Sequence, residues 1–322
     1  MRRRTMLMLG LAGAAALACG ATWRAFDVDI AAARARLRGR SRVIESRFGA
    51  LEYAEEGAGP PVLMIHGTGG GFDQGLAFAQ PLTANWRVIA PSRFGYLRSA
   101  YPDDPSSEHQ ADAFVDLLDE RNIPRAAVIG GSAGALSALQ FAIRHPNRCA
   151  ALVAMAPAAY APNRPPVEPP TPLARAIIDY ALRSDFIFWA GLRANEDALI
   201  AALLATDPAL VRAAAPEERA RVRAIVRDIL PVSERARGLL NDARLAYTPA
   251  PMPLERIRAP TLALSLEDDR FQTLAAARHI ADTVPGARLI SYPTGGHVWV
   301  GRNRDVFAEV DAFLRRTRGE GA

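Results

Sequence analysis

One stretch limits the fold more than any other: a serine flanked by glycines, between an apolar run and a helical pattern. Residues 126–129 are apolar, as in a buried strand, and the helical pattern starts just after Ser132. Residues 130–134 fit G-x-S-x-G, in which small neighbours leave room for a tight strand-to-helix turn. The turn lifts the Ser132 hydroxyl clear of the sheet, beside helix N–H groups that favour developing negative charge. A turn that only packs the helix on the strand is the alternative.

Strand-like and helical segments alternate on both sides of this turn. Continuous apolar runs such as 61–65 are typical of strands buried in a parallel sheet, and Phe48-Gly49 indicates a hairpin. A capping box from Ser107 to Gln110 is expected to open a helix. Strands are predicted at residues 42–47, 50–55, 61–65, 86–90, 126–129, 150–155, 261–266 and 287–292, and helices at 107–120, 271–284 and 301–317. This alternation predicts an α/β fold with a doubly wound, mostly parallel sheet.

The pattern changes between about residues 157 and 258, where strand signals stop. A proline-rich linker (prolines 162, 165, 166, 169, 170 and 172) comes first, and helices are predicted at 173–193, 195–205, 208–228 and 232–244. We expect residues 158–258 to be a helical cap inserted into a core of residues 42–157 and 259–318. Such a cap covers the carboxyl ends of the strands, where open α/β sheets bind ligands. Its apolar residues, including Phe188 and Trp189, are typical of helix packing and would also suit a substrate-binding wall facing Ser132.

The N-terminal residues 1–23 combine a basic start with an apolar run. Arginines at positions 2–4 precede an apolar stretch that ends at about Trp23, a pattern typical of a secretion signal or a membrane anchor. We therefore expect the protein to be membrane-anchored or exported, with its catalytic domain outside the cytoplasm. An amphipathic or disordered tail is the alternative. Residues 24–41 are predicted to form an Arg/Ala-rich connecting helix.

Composition argues against several classes of function. All 39 basic residues are arginines, so Schiff-base chemistry and a lysine nucleophile are excluded. The arginines are scattered and do not interleave with aromatics, which argues against nucleic-acid binding despite a net charge of +5. Cys19 and Cys149 make neither a disulfide framework nor a metal knuckle. Because the histidines are dispersed and the glycine loops lack nucleotide fingerprints, we expect no metal and no cofactor.

Two histidines are candidates for the base that a serine nucleophile requires. A serine hydroxyl needs a base within hydrogen-bond reach, and the base needs an orienting acid. Of the five histidines, only His66 and His297 are predicted to stand at carboxyl ends of strands. His297 follows the last strand and comes last in the chain, as the order Ser…Asp…His requires. It is the predicted base; a loop histidine that caps the final helix is the alternative. His66 is expected to be structural.

The acid is expected among the carboxylates that follow the predicted strand 261–266. Glu267, Asp268 and Asp269 stand at its end, where the third member of such a triad belongs. An acidic loop that is merely solvated is the alternative. Asp268 could also pair with Arg270 or cap the following helix.

Together these motifs resemble the α/β-hydrolase superfamily over residues 42–316. The matching pieces are His66-Gly67 after the third strand, the 130–134 turn, the acidic turn 267–269 and the segment 295–297. The resemblance implies that Ser132 is the nucleophile and His297 the base. The acid motif of the family is Gly-x-x-Asp, with Leu266 here in place of its glycine. The acid therefore falls on Asp269, with Asp268 next and Glu267 third.

The resemblance also implies an oxyanion hole made of backbone N–H groups. One belongs to Ala133, directly after the nucleophile, and the other to Thr68, in the loop after His66. Gly67 and Gly69 in that loop are expected to let substrate approach closely; a plain flexible turn is the alternative. The family segment D-x-R-G-x-G-x-S appears at residues 92–99 without its leading Asp, so we expect the loop contacts there to differ.

The expected function is that of a serine hydrolase acting on a small, partly apolar substrate. It would cleave an ester-type bond (carboxylester, lactone or thioester) through an acyl-enzyme on Ser132, with His297 as base and Asp269 as acid. The resemblance also covers carbon–carbon bond hydrolases and peracid-forming, haloperoxidase-like members. A non-catalytic ligand-binding member of the fold and a membrane-tethered interaction protein are the alternatives from other classes.

Overall fold

The computed structural model describes residues 2–162, 164 and 171–319, and that part of the chain is built on one eight-stranded sheet. The strands are β1 (Arg42–Ser46), β2 (Gly49–Glu56), β3 (Pro61–Ile65), β4 (Arg87–Pro91), β5 (Ala126–Gly131), β6 (Cys149–Met155), β7 (Thr261–Leu266) and β8 (Arg288–Tyr292). Their spatial order is β1-β2-β4-β3-β5-β6-β7-β8. The β1–β2 and β2–β4 pairs are antiparallel, and the other pairs of the described sheet are parallel. The predicted mostly parallel sheet is confirmed.

Helices connect the strands and cover both faces of the sheet. They are α1 (Arg2–Leu37), α2 (Phe72–Ala79), α3 (Ser107–Glu120), α4 (Gly134–Arg144), α5 (Pro172–Arg183), α6 (Asp185–Leu203), α7 (Pro208–Ala213), α8 (Pro216–Arg227), α9 (Ala236–Tyr247), α10 (Thr273–Thr283) and α11 (Asn303–Thr317). Helices α3, α4 and α10 pack on one face, and α2 and α11 on the other. This two-sided cover buries β5 and β7 along their whole length, which explains their continuous apolar sequences.

Strand register brings the loops of the candidate site to one edge of the sheet. In the pairing of β3 with β5, Ile65 lies opposite Gly130. The loop that starts at His66 and the turn that carries Ser132 therefore leave the sheet side by side. On the other side of β5, Gly131 lies opposite Met155 at the end of β6. The carboxyl ends of the parallel strands thus form the floor of the site.

Helix boundaries differ from the sequence prediction where a polar side chain caps the backbone. The N-cap of α3 is Ser106, whose hydroxyl accepts a hydrogen bond from His109 N at 3.4 Å, so the capping box was placed one residue late. Ser184 caps α6 by accepting from Ile187 N at 3.3 Å, and the predicted helix 173–193 is therefore two helices. The predicted break before residue 195 is instead a kink within α6, at Asn195.

Helices α5 to α9 lie between β6 and β7 in the chain and contact the loops of the core. Asp242 of α9 accepts hydrogen bonds from Arg93 at 2.6 and 2.5 Å, and both side chains are buried. Asn241 donates to Pro105 O at 2.9 Å. Four prolines of the predicted linker (165, 166, 169 and 170) lie outside the described residues. The bounds of cap and core at residues 158 and 258 stay a prediction.

Helix α1 continues without a break through the predicted division at residue 23 and ends at Leu37. Its second half packs on the cap, where Phe26 and Ile30 are buried in one apolar cluster with Phe188 and Trp189. Trp189 Nε1 also donates to a carboxylate oxygen of Asp29 at 2.8 Å. Within the described residues, no helix has both the length and the apolar character that a bilayer span requires.

Candidate active site

The serine of the glycine-flanked turn has a left-handed backbone, with φ 50° at Ser132. A residue with a Cβ adopts this conformation only where the surroundings enforce it. A Cβ at Gly130 would lie 2.6 Å from that of Ala138, and one at Gly134 would lie 2.4 Å from His66 O. Helix α4 thus starts so close to β3 and β5 that glycine is required at both positions. A Cβ at Gly131 would meet nothing nearer than 3.9 Å.

The structure brings Ser132, His297 and Asp269 into one chain of hydrogen bonds. His297 Nε2 lies 2.9 Å from Ser132 Oγ, and His297 Nδ1 lies 2.8 Å from Asp269 Oδ2. Ser132 is half-buried, whereas the other two side chains are buried. A histidine that bridges a serine hydroxyl and a buried carboxylate can accept the serine proton while the carboxylate stabilises the imidazolium.

The carboxylate of Asp269 is held ionised by its partners. Burial is the largest single influence and would raise the pKa, but His297 and three hydrogen bonds outweigh it and lower the pKa. Thr273 Oγ1 donates to Oδ2, and Phe271 N donates to Oδ1 at 2.9 Å. Ser265 Oγ lies 2.8 Å from Thr273 Oγ1 and extends the network into the sheet. The acid is therefore fixed in place by β7 and by the start of α10.

The loop that carries His297 is fixed by Asp268 and by the cap. Asp268 Oδ2 accepts from Gly295 N at 3.0 Å, and its Oδ1 accepts from Gly296 N at 2.8 Å. Thr206, which is fully buried, accepts from His297 N at 3.1 Å through its hydroxyl. Both carboxylate oxygens of Asp268 are thus engaged by the histidine loop, and Arg270 pairs with Asp207 instead. The expected pairing with Arg270 and the expected helix cap are therefore not formed by Asp268 in the described residues.

Two N–H groups beside Ser132 have no acceptor among the described residues: those of Thr68 and Ala133. The loop after β3 forms a tight turn from Gly67 to Gly70, closed by a 3.3 Å hydrogen bond between them. Gly67 N donates to Gln74 Oε1 at 3.0 Å, and Gly69 N donates to Tyr96 Oη at 3.2 Å. Gly69 has φ +79°, as the third position of a type II turn requires. The turn thus leaves Thr68 N–H available to an oxyanion.

His66 holds this loop and is not available as a base. Its Nε2 accepts from Arg93 N at 2.9 Å, and its Nδ1 lies 2.7 Å from Gly67 O. Because Nε2 accepts, the proton is on Nδ1 and the ring is neutral. Complete burial, reinforced by the Arg93 charge, holds the pKa of His66 well below its ordinary value.

A cavity of about 300 Å³ opens beside Ser132 and His297, with Thr68 and Gly67 in its wall. Most of its remaining lining is apolar and comes from both core and cap: Phe78, Ile178, Leu182, Leu203, Ile225 and Trp299. Such a lining suits an apolar group of a substrate.

Three residues that the sequence suggested as substrate contacts lie elsewhere. Phe188 and Trp189 are 6% and 5% exposed and pack against Phe26 of α1, because that helix covers them. A Cβ at Gly69 would lie 3.1 Å from the side chain of Ile229. Gly69 is not part of the described cavity wall. The structure therefore contradicts the prediction that these three bind substrate; of the four, Gly67 alone lies in the described cavity wall.

The described cavity wall contains one guanidinium, that of Arg164. It donates to Ala159 O at 3.4 Å and to Phe271 O at 3.3 Å, and its buried Nε has no partner among the described residues. Burial lowers the pKa of Arg164, while the Asp269 charge acts to raise it. Because no described carboxylate pairs with this cation, it is available to an anionic group of a ligand.

A buried polar network behind the site was missed by sequence reasoning. Arg93 and Tyr96 both hydrogen-bond Asp242, with Tyr96 Oη 2.5 Å from Asp242 Oδ2. Burial and the adjacent Asp242 charge raise the pKa of Tyr96 well above its ordinary value. The altered 92–99 segment was the only signal, since it predicted unusual loop contacts but not a partner 149 residues away.

The described residues contain no group of three or more His, Cys, Asp or Glu side chains placed to hold a metal ion. Cys149 is buried at the start of β6, and burial raises the pKa of its thiol to about 12. It therefore behaves as a small apolar side chain rather than as a nucleophile.

Comparisons with known proteins identify the fold. A family model described as the alpha/beta hydrolase fold matches residues 60–300. An alpha/beta hydrolase fold protein from Nakamurella multipartita superposes with a TM-score of 0.69 at 26% identity, over 85% of this chain and 99% of that one. A membrane phospholipase A, described as a bacterial virulence factor, gives a TM-score of 0.65 at 24% identity, over 99% of each chain.

Curated relatives match only part of the chain. The 2-hydroxymuconate semialdehyde hydrolase of Pseudomonas sp. (strain CF600) is 39% identical over 108 residues, or 31% of this chain and 38% of that protein. The 2-hydroxy-6-oxo-6-phenylhexa-2,4-dienoate hydrolase of Comamonas testosteroni is 34% identical over 113 residues, which are 33% of this chain and 40% of that protein. The chain therefore spans well under half the length of these relatives.

Proposed function

This chain belongs to the α/β hydrolase fold family, and from that premise we propose that it is a serine hydrolase cleaving carboxylic-ester-type bonds through an acyl-enzyme on Ser132. The observation that carries the proposal is the hydrogen-bonded series of Ser132, His297 and Asp269, at 2.9 and 2.8 Å. It supplies a nucleophile, a base and an orienting acid in the geometry that acyl transfer requires.

The proposed reaction has two halves, each with the same proton carrier. Ser132 Oγ attacks the ester carbonyl carbon while His297 Nε2 takes the hydroxyl proton. The carbonyl oxygen becomes an oxyanion and accepts hydrogen bonds from Thr68 N and Ala133 N. The C–O bond to the alcohol then breaks, His297 returns the proton to the leaving oxygen, and the acyl group stays on Ser132. Water repeats the sequence and releases the acid.

The apolar cavity supports an ester with an alkyl acyl group or alkyl alcohol. Apolar side chains supply most of the described wall, in which Ser132 and His297 also lie. We expect kcat/KM for p-nitrophenyl esters to rise with acyl length and then fall once the chain exceeds the cavity of about 300 Å³. Turnover of none of these esters by folded protein would contradict the proposal.

A pair of leucine variants tests whether this cavity sets the length preference. Leu203 lines the cavity, so Leu203→Trp should move the optimum to shorter acyl chains. Leu173 lies on the cap surface with 72% exposure, so Leu173→Trp should leave the optimum where it is. An unchanged optimum in folded Leu203→Trp would place the acyl group elsewhere.

Arg164 favours a second candidate, hydrolysis of a carbon–carbon bond in an acidic dienone. The name of the Comamonas relative specifies a dienoate, which carries a carboxylate. Arg164 lines the same cavity as Ser132, and its buried Nε has no partner among the described residues. A ring-cleavage dienoate should be turned over in this case, with Arg164→Gln abolishing that reaction and sparing neutral esters. Wild-type turnover of esters alone would reject this candidate.

We also propose that residues 1–23 hold the protein at a membrane or direct its export. The support is the basic start and apolar run of the sequence. Fractionation of cells that express the full chain with a C-terminal tag is the test. Full-length protein recovered in the soluble cytoplasmic fraction, with residues 1–23 intact by mass spectrometry, would contradict it.

A further inference from the structure

A buried arginine of the cap hydrogen-bonds the turn that contains Thr68 N–H. Arg235 directly precedes α9 and is 0% exposed. Its Nη1 donates to Gly70 O, the carbonyl at the end of the turn, and also to Asp73 Oδ1 at 3.1 Å. Its Nη2 donates to Asp73 Oδ2 at 2.8 Å. One planar guanidinium therefore joins the turn from Gly67 to Gly70, here called the oxyanion turn, to the first residues of helix α2.

A second arginine, from helix α1, completes this arrangement. Arg36 Nη1 donates to Asp73 Oδ2 at 2.5 Å, and Arg36 Nη2 donates to Asp228 O at 2.9 Å and to Leu230 O at 3.0 Å. The last two carbonyls belong to the cap segment that leads to Arg235. Arg36 thus links α1, the start of α2 and the cap at one point.

The central carboxylate is ionised, as this geometry requires. Burial would raise the pKa of Asp73, but the two guanidinium groups outweigh it and lower the pKa to about 2. A buried ion pair adds little net stability compared with apolar residues in its place, although removing one of its partners is costly. The contact with Gly70 O therefore points to a positional role. The three charged side chains hold the carbonyl end of the turn, while Gln74 and Tyr96 accept hydrogen bonds from its N–H groups.

We propose that Arg235 is a positioning residue for the oxyanion turn and that Arg36 holds it in place, so that helix α1 is a working part of the active site. The proposal rests on the proposed function, since it assumes that Thr68 N–H stabilises an oxyanion on the way to acyl-Ser132. A shift of the turn by a fraction of an ångström would weaken that hydrogen bond in the transition state while leaving the cavity intact.

The test compares four arginine-to-glutamine variants of the full chain on one activated ester. Arg235→Gln should lower kcat about 10- to 100-fold with little change in KM, because a displaced oxyanion donor loses part of the 10²–10³ that such a donor supplies. Arg36→Gln should lower kcat by about 3- to 10-fold for the same reason. The matched controls, Arg237→Gln in α9 and Arg24→Gln in α1, remove equal charge at exposed positions and should keep the wild-type kcat.

A second readout separates positioning from a merely structural role. An alkyl boronic acid adds to the serine as a tetrahedral anion, whereas an alkyl amide of equal length only fills the cavity. The Ki of the boronic acid should rise in Arg235→Gln in step with the loss of kcat, and the Ki of the amide should stay constant. Wild-type kcat in folded Arg235→Gln, or an unchanged boronic acid Ki, would overturn the proposal.

If Arg235→Gln does not fold, Arg36→Gln decides, because it leaves the Arg235–Asp73 pair in place. Wild-type kcat and boronic acid Ki in folded Arg36→Gln would then overturn the proposal, and parallel losses would support it. Failure of the proposed function gives a different result: Ser132→Ala would keep the wild-type rate. An inactive Ser132→Ala beside a fully active Arg235→Gln rejects only the positioning role.

Discussion

Adjacent aspartates in the turn after β7 hold two different parts of one loop. Asp269 contacts the ring of His297, and Asp268 binds the N–H groups of Gly295 and Gly296. The neighbouring Glu267 side chain is exposed. One carboxylate therefore fixes the imidazole, the next fixes the backbone that carries it, and the third has no such contact in the described residues.

We predict that substitution separates these three roles. Asp269→Asn should lower kcat by about 10⁴, because an amide leaves the imidazole in the wrong tautomer and the imidazolium without its counter-charge. Asp268→Asn should cost roughly tenfold, because a neutral amide oxygen accepts only one of the two loop hydrogen bonds and accepts it less strongly. Glu267→Gln should remain close to wild type. The measurement is kcat on one activated ester.

Circular dichroism of each variant is the control in this series, so that a loss of fold is not taken for a loss of chemistry. If Asp268→Asn were the crippled enzyme and Asp269→Asn nearly active, the orienting acid would be Asp268. If none were crippled, the acid would lie outside this turn.

At the scale of elements, the start of α4 depends on a close approach that only glycine allows. A Cβ at Gly134 would lie 2.4 Å from His66 O and 2.6 Å from Ile65 O, and both are backbone atoms that cannot rotate away. We predict that Gly134→Ala lowers the free energy of unfolding by about 2 kcal/mol, within the range for overpacked sites. Chemical denaturation of the full chain measures it.

Gly131→Ala is the matched control, since it adds the same methyl group three residues earlier. A Cβ there would lie 3.9 Å from its nearest neighbour, Ile65 O. Its unfolding free energy should therefore stay close to wild type. Equal stability of the two variants would show that the close packing of α4 on β3 is not what the turn requires.

Sequence periodicity located most elements but placed their ends less well. The strands Pro61–Ile65 and Thr261–Leu266 were predicted to the residue, because burial on both faces makes them continuously apolar. Helix ends were displaced where capping decides them, as at Ser106 and Ser184. The short helix α2 was missed because its eight residues are too few for a clear helical period.

The site was predictable to the extent that it lies in local motifs. Ser132 and His297 stand in recognisable turns at strand ends, and the resemblance to a family singled out Asp269. Arg235 and Asp242 could not be found in this way, because their partners are 162 and 149 residues away in the chain. No local pattern distinguishes these two charged residues from the many exposed ones on the cap.

At the scale of the whole molecule, buried arginine–aspartate contacts join α1, the cap and the core. Asp73 is the carboxylate on which Arg235 and Arg36 meet. Its pKa falls from 3.8 to about 2 on folding. The ionised carboxylate therefore contributes to the free energy of unfolding above about pH 4, and this contribution is lost as the pH falls towards 2. That shift corresponds to roughly 2 kcal/mol of stability.

We therefore predict that Asp73→Asn is less stable than wild type at neutral pH but less sensitive to acid. Between pH 5 and pH 2, its free energy of unfolding should fall by roughly 2 kcal/mol less than that of wild type. Urea denaturation across that range measures the difference. Asp305→Asn, at a site where the side chain is 53% exposed, is the control and should follow the wild-type slope. Parallel curves for wild type and Asp73→Asn would show that this carboxylate does not titrate as the buried contacts require.

The central claim is that Ser132 carries an acyl group during turnover, and intact-protein mass spectrometry tests it most directly. Full-length protein mixed with a p-nitrophenyl ester and quenched within the first turnover should gain the mass of one acyl group. Peptide mapping should place that group on Ser132, and Ser132→Ala should gain nothing. Because removal of a triad nucleophile costs about 10⁴–10⁶ in kcat, Ser132→Ala should also be essentially inactive. An acyl group on another residue, or ester turnover that persists in Ser132→Ala, would contradict the account.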